Sequence, residues 1–190
     1  MIRQEYKEQL RQTRAANPTW GSSAVRNGGA MVVNYLNHCN RRITRNVQRV
    51  LDFGCGTGTL GDHIREHCAG IEVVSYDPSV RGLDSLPTGE FDAIVSVDVL
   101  EHVEPNDLDA TLAWMRERTL RQLHHIDCND TKDRLPDGRD VHLIIQEPEW
   151  WEPRLAPPAS GLQVMERHVH DKFKKGRFRR SCTFIVERQG

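Results

Sequence analysis

Apolar positions along the chain fall into short runs that alternate with stretches of helical period, with glycines and prolines between them. Val50-Leu51, Val73-Val74 and the run Ala93–Val97 are brief and apolar, and each stops beside an acid: Asp52, Asp77 and Asp98. Runs of this kind suit parallel strands covered on both faces. Residues 60–68 read as the helix between the first two strands, with Gly70 as its stop. Asn106 or Asp107 caps a later helix that runs to about Arg118, with Leu108, Leu112 and Met115 at helical spacing. Residues 123–128 read as a further strand, in which His124 and His125 point to opposite faces, so at most one reaches a given pocket.

The two ends of the chain differ in pattern. The first 45 residues are basic and helical. Tyr6 and Leu10 mark one apolar face, and Met31, Tyr35 and Cys39 mark another, with Arg41 and Arg42 at its end. Residues 17–23 break the two helices, and Trp20 within that break is a candidate lid contact. Residues 135–144 predict a turn followed by an apolar run, and Pro148-Glu149-Trp150-Trp151 opens a short helix. The tandem tryptophans suit core plugs better than a stacking platform. Two strands close the chain, over 162–168 and 178–186, with a turn at 171–176. That turn and its flanks carry Lys172, Lys174, Lys175, Arg177, Arg179 and Arg180. A solvated hairpin tip that protects a sheet edge is preferred there over phosphate contact.

Length and composition place limits on the rest. The chain has 190 residues and a formal net charge of −1. It reads as one domain, with residues 1–45 as a helical cap and 46–190 as a catalytic core. No apolar run reaches transmembrane length, and the polar start lacks a secretory h-region. Five cysteines without paired spacing suit a reducing cytoplasm. A near-neutral balance argues against a protein that lives on bulk nucleic acid, while leaving room for a local patch. Oligomeric state is not legible.

The chemistry concentrates at Asp52-Phe53-Gly54-Cys55-Gly56-Thr57-Gly58. A strand ends in a carboxylate and breaks into a glycine turn that opens a helix, which builds a small-molecule pocket at a strand's carboxyl end. Gly56, Gly58 and Gly61 also satisfy the dinucleotide fingerprint, a weak signal on glycines alone. Charge discriminates: Asp52 would repel a pyrophosphate but suits the sulfonium and ammonium groups of S-adenosylmethionine. Asp77, at the end of the next strand, can accept hydrogen bonds from ribose hydroxyls. Asp98, Glu101 and His102 share a face if a helical turn starts at Asp98. An N-terminal capping box of Asp98 and Glu101 is the first reading, a catalytic or substrate role the second, and a divalent metal the last. No metal ligand is assigned.

On these motifs the chain resembles the class I S-adenosylmethionine-dependent methyltransferases, in particular compact phage and bacterial stand-alone types similar to the small-molecule and ubiquinone-type branch. The matching acid-x-Gly-x-Gly-x-Gly residues are Asp52, Gly54, Gly56 and Gly58. A metal-dependent branch, including RNA 3′-end ribose methyltransferases, has a Glu-x-x-Glu-His element that Asp98, Glu101 and His102 match except for the first acid. The resemblance implies a Rossmann-like three-layer α/β sandwich. Its mostly parallel seven-strand sheet would have a C-terminal antiparallel hairpin and a third-strand edge trimmed by the short connection from Asp77 to Phe91. It implies S-adenosylmethionine as cofactor, held by Asp52, Gly54, Cys55, Gly56, Asp77 and Asp98, with Pro78 or Val80 near the adenine and Asp84 a weak candidate for an adenine-binding acid. His102 and His142 are the candidate catalytic residues across the substrate mouth. The chain lacks an Asn/Asp-Pro-Pro-Tyr element and a Pro-Cys dipeptide, which favours an oxygen of a small molecule, sugar or nucleic-acid ribose as acceptor. A cofactor-binding regulator or inactive partner subunit is the alternative, and a dinucleotide oxidoreductase is disfavoured by Asp52.

Overall fold

A computed structural model describes residues 2–42, 47–174 and 176–188, without the side chains of Arg42 and Lys174. Lys175, one of the expected hairpin cations, lies outside them. Six strands form one sheet: β1 Arg49–Phe53, β2 Glu72–Tyr76, β3 Ala93–Val97, β4 Arg121–Asp127, β5 Leu162–Lys174 and β6 Arg177–Arg188, in the order β2-β1-β3-β4-β6-β5. β2, β1, β3 and β4 are parallel, while β6 runs antiparallel to both β4 and β5. Helices α1 Gln4–Ala16, α2 Ala30–Arg42, α3 Thr59–His67, α4 Pro105–Arg116 and α5 Pro148–Leu155 complete the fold.

The apolar runs are explained by two-sided burial. Leu51, Phe53 and Ile94 face a core with Leu112 and Met115 of α4 and Trp151 of α5. Val50, Ala93, Val95 and Val97 face another with Leu36 of α2 and Leu60 and Ile64 of α3. Every residue of β3 is therefore buried, and no polar alternation survives in it. Trp151 is fully enclosed while Trp150 is only partly covered, so one ring of the pair does plug the core. All five cysteines are free and buried. No helix among the described residues is long and apolar enough to cross a membrane.

Four local expectations need correction. The described sheet has six strands, not seven: the connection from β2 to β3 is too short to supply the missing edge strand and forms turns instead. Asp98 does not cap a helix, because it stands at φ 56°, and the following turn, Leu100–His102, is 3₁₀ with no side-chain cap. α4 starts with Pro105 as its first residue, ahead of Asn106 and Asp107, since proline has no amide to leave unpaired there. The terminal strands run further than expected. The ladder continues through Phe173↔Phe178 to Lys174↔Arg177.

Candidate functional site

The end expected to hold the cofactor is organised by one carbonyl. Gly54 and Cys55 N–H both donate to the Tyr76 carbonyl, at 2.7 and 3.0 Å. That ties the turn after β1 to the end of β2 and sets Asp77 against the glycines, where Gly56 N–H donates to Asp77 Oδ2 at 2.8 Å. Gly54, at φ 78°, lies so close to Val99 that a Cβ would come within 2.5 Å of its Cγ1. At Gly56 a Cβ would strike the Gly21 carbonyl. Gly54, Gly56, Asp77, Pro78 and Ser79 line one end of a cavity of about 240 Å³.

Three expected cofactor contacts fall elsewhere. Asp52 is 1% exposed and outside the cavity wall. It lies under the turn beside the first turn of α3, where burial pushes its carboxyl up to about 7 and the Gly61 amide offsets only part of that. Cys55 is buried too, with its amide already engaged by Tyr76. Burial pushes its thiol up to about 12, the behaviour of an inert packing residue. Asp84 stands outside the wall and holds Arg11 at 2.6 Å. Of the two adenine candidates, Pro78 lines the cavity and Val80 does not.

The N-terminal segment closes over this end. Arg14 of α1 donates to Asp77 Oδ2 at 3.3 Å, Ser79 Oγ at 2.9 Å and the Trp20 carbonyl at 3.2 Å. Trp20 lines the cavity and meets the His102 ring edge-on at 5.5 Å. Tyr6 and Leu10 pack on Leu135 and Val141, and the Tyr6 hydroxyl donates to the His102 carbonyl. Arg14 was not legible in advance: a basic helical residue is ordinarily solvated, and no local motif marks it.

The end expected to take the acceptor is assembled from the segments after β3 and β4. Asp98 lines the middle of the cavity, its Oδ2 accepting from Asn27 Nδ2 at 2.5 Å and Ser23 Oγ at 3.1 Å. Glu101 is completely buried. Its Oε1 accepts from Asp127 N–H at 2.9 Å, and its Oε2 has no hydrogen-bond partner. Burial, with Asp98 nearby, holds its carboxyl well above the usual range. His102 Nδ1 lies 2.7 Å from the Val141 carbonyl, and His142 Nδ1 lies 2.6 Å from the Asn129 carbonyl. A carbonyl accepts only, so each Nδ1 carries a proton, and in a neutral ring the lone pair is on Nε2. The rings meet edge-on at 4.7 Å. One ligating atom from each of Glu101, His102 and His142 falls within 4.8 Å of the other two. Burial and His142 push His102 down to about 3, so it is neutral.

The loop that carries His142 is clamped in place. Ile144 N–H donates to the Glu101 carbonyl at 3.0 Å. Arg139 grips Glu104 with two donors, at 2.9 and 3.1 Å, the bidentate geometry that fixes orientation as well as distance. His124 turns away, its Nδ1 on Ser96 Oγ and Nε2 on Gln122 Oε1. His125 faces the site, 3.8 Å from Asp98. The expected opposition of these two histidines holds.

Charge along the wall is lopsided. Asp77, Asp98, Asp127 and Asp133 line the cavity, and Arg14, itself paired with Asp77, is the one guanidinium or ammonium group among the described lining residues. That arrangement suits a cationic ligand and offers no free cation to a pyrophosphate.

Comparison with known proteins agrees with this geometry. No curated protein sequence matches the chain. Magnesium protoporphyrin IX methyltransferase from Synechocystis PCC 6803, solved with bound S-adenosylmethionine, superposes with a TM-score of 0.64 at 15% identity, covering 100% of both chains. The methyltransferase domain of bacterial CtHen1-CN gives 0.61 at 17%, covering 84% of this chain and 96% of that one. TehB from Haemophilus influenzae gives 0.55 at 17%, covering 82% of this chain and 62% of its own length. Residues 32–170 match the model of the methyltransferase domain family. The chain therefore belongs to that family, and its fold is that of the class I S-adenosylmethionine-dependent methyltransferases.

Proposed function

We propose that this protein transfers the methyl group of S-adenosylmethionine to an oxygen of its acceptor, assisted by a divalent cation at Glu101, His102 and His142. The observation that carries the reading is the clustering of a carboxyl oxygen of Glu101, whose Oε2 has no hydrogen-bond partner, with two imidazoles whose Nδ1 protons are taken by backbone carbonyls. A buried carboxyl oxygen without a partner is costly. Two histidines whose Nδ1–H groups are held by carbonyls would offer Nε2 when neutral, which is what a borderline metal requires. This departs from the expectation of His102 as a general base: a ring pushed to about 3 takes a proton poorly at neutral pH.

Bound S-adenosylmethionine supplies a methyl carbon activated by its sulfonium. Gly54 and Gly56 line the cavity beside Asp77, whose carboxylate is placed for ribose hydroxyls once Arg14 lets go. Asp98 and the other wall acids favour its positive charge. A divalent ion supplies Lewis acidity to the acceptor oxygen. Trp20 and the segment around it shield the reaction from water, and the Arg139–Glu104 clamp keeps His142 at its distance. Five free cysteines suit work in the cytoplasm.

Calorimetry with S-adenosylmethionine and electron paramagnetic resonance with Mn²⁺ test the two halves separately. We expect both to bind the intact chain. Glu101→Gln should weaken Mn²⁺ by roughly 100-fold and leave S-adenosylmethionine affinity within about twofold. If Mn²⁺ does not bind the wild type, the cation is removed from the reading. If S-adenosylmethionine does not bind, the whole of it falls.

A further inference from the structure

The β5–β6 hairpin outruns the sheet, and its tip is chemically unlike the rest of the surface. Residues 172–180 carry six cationic side chains and two phenylalanines, in a chain whose net charge is −1. Phe173 and Phe178 are opposed in the ladder, and they are 78% and 55% exposed. A solvated tip needs no aromatic pair, and exposed rings of this size are unfavourable unless something covers them. The Arg180 guanidinium lies 5.2 Å from the Phe178 ring centre and is itself fixed by Asp171 at 2.8 Å and Glu147 at 2.8 Å. The ring is thereby presented on a braced support.

Alternation places Lys172 and Arg179 on the opposite face of the ribbon. There Arg179 reaches the Asp130 carbonyl at 2.7 Å and Asp127 Oδ2 at 3.2 Å. Asp127 lines the cavity, and its amide holds Glu101. Lys172 is close enough to His125 and His170 for its charge to oppose their protonation. Lys172 and Arg177 have no ion pair among the described residues, and both are exposed. The cationic face thus ends at the rim of the acceptor end, and the aromatic face stands beside it.

We infer that this hairpin tip is a docking arm for single-stranded RNA, with Phe173 and Phe178 as stacking platforms and Lys172 and Arg177 as phosphate partners. Stacking with unpaired cations is the chemistry that captures a single strand without reading its sequence. Rigid duplex bases are not free to stack on a protruding ring. The choice of RNA rests on the oxygen-acceptor reading above, because ribose presents a 2′-hydroxyl along the strand and deoxyribose does not. The arm's contact with Asp127 gives a bound strand a route to that site.

Fluorescence anisotropy with a labelled 12-nucleotide single-stranded RNA tests this on the whole chain, without methyl donor or Mn²⁺. Salt-sensitive binding is expected, stronger than to a duplex RNA, to single-stranded DNA of the same sequence, or to anionic phosphatidylserine vesicles. The double variants Phe173→Ala/Phe178→Ala and Lys172→Glu/Arg177→Glu should each weaken it about tenfold or more. Unchanged S-adenosylmethionine affinity shows that each variant is folded. No RNA binding at low salt, binding indifferent to both variants, a preference for vesicles, or equal binding of DNA would each overturn the inference. Glu101→Gln should leave RNA binding intact, so failure of the arm and failure of the cation site give different signatures.

Discussion

The two ends of the cavity are built by opposite means. At the cofactor end, consecutive residues do the work: Phe53 ends a strand, the next three residues turn, and two amides of that turn close on one carbonyl of the neighbouring strand. At the acceptor end, Glu101 and His102 follow β3, while His142 arrives from a long loop after β4 and is held by hydrogen bonds to backbone carbonyls and by an ion pair. The first end takes its shape from one strand–turn segment packed on its neighbours. The second exists only once the sheet and its loops have assembled. A tightly packed glycine turn should fail by steric strain, and an end held by scattered polar contacts by loss of one of them.

The sharpest way to break this contrast is Gly54→Ala. The new methyl would be driven into Val99, a β-branched residue with little freedom to move, on a backbone at φ 78°. We expect a loss of about 4 kcal/mol, a fall in Tm of roughly 8–16 °C. Gly58→Ala is the control. It shares a positive φ of 82° but has nothing within 4 Å of the added carbon, so only about 1–2 kcal/mol should be lost. Equal losses in thermal unfolding would mean that backbone conformation, not packing on Val99, explains the glycine.

Asp52 supplies the next test, because it separates fold from site. Burial pushes its carboxyl up to about 7, Asp77 adds to the shift, and the Gly61 amide and Arg65 oppose it. In the unfolded chain it titrates near 3.9, by the ordinary aspartate value of about that size. Between those two values the folded protein keeps a proton that the unfolded chain has released. Stability therefore falls as pH rises from about 4 to about 7 and levels off above, by at most about 4 kcal/mol. Asp52→Asn should remove that slope in urea unfolding across the range while leaving S-adenosylmethionine affinity within about twofold. Parallel stability curves for the two proteins, or a large loss of affinity, would return Asp52 to the cofactor end.

Why the residues were legible to different degrees follows from the same contrast. Strand, glycine turn and helix are written consecutively, so Gly54, Gly56 and Asp77 could be placed by order alone, and all three line the cavity. A strand-terminal acid can point over the turn or beneath it, and spacing does not distinguish them. Asp52 points beneath, so the charge argument belongs instead to the acids on the wall. The capping box failed because it presumes a helical start, while Asp98 adopts φ 56° and turns its carboxylate to Asn27. His102 and His142 could be named as partners, but nothing short of the fold shows that Asn129 and Val141 fix their tautomers. Arg14 was invisible because its partner, Asp77, is remote in sequence.

Arg14 and Asp77 give the finest discrimination between the two ends. Asp77 accepts from Gly56 N–H and Arg14 through Oδ2, and from Ser79 N–H and Oγ through Oδ1. Its acceptor positions are filled, so ribose hydroxyls must displace a donor; Ser79 is two residues away and Gly56 is fixed through the β1–β2 junction, which leaves the Arg14 side chain as the donor free to swing out. Asp77→Asn should weaken S-adenosylmethionine about tenfold, the effect of removing a hydrogen bond to a charged group. Arg14→Ala should act in the opposite direction and tighten binding a few-fold, because the competitor is gone while the carboxylate stays. Calorimetry on the two variants reads the difference directly. Weakening by both would make Arg14 a partner of the cofactor. The closed segment would then be part of the binding site and not a cover over it, and the cofactor end would share the long-range construction of the acceptor end.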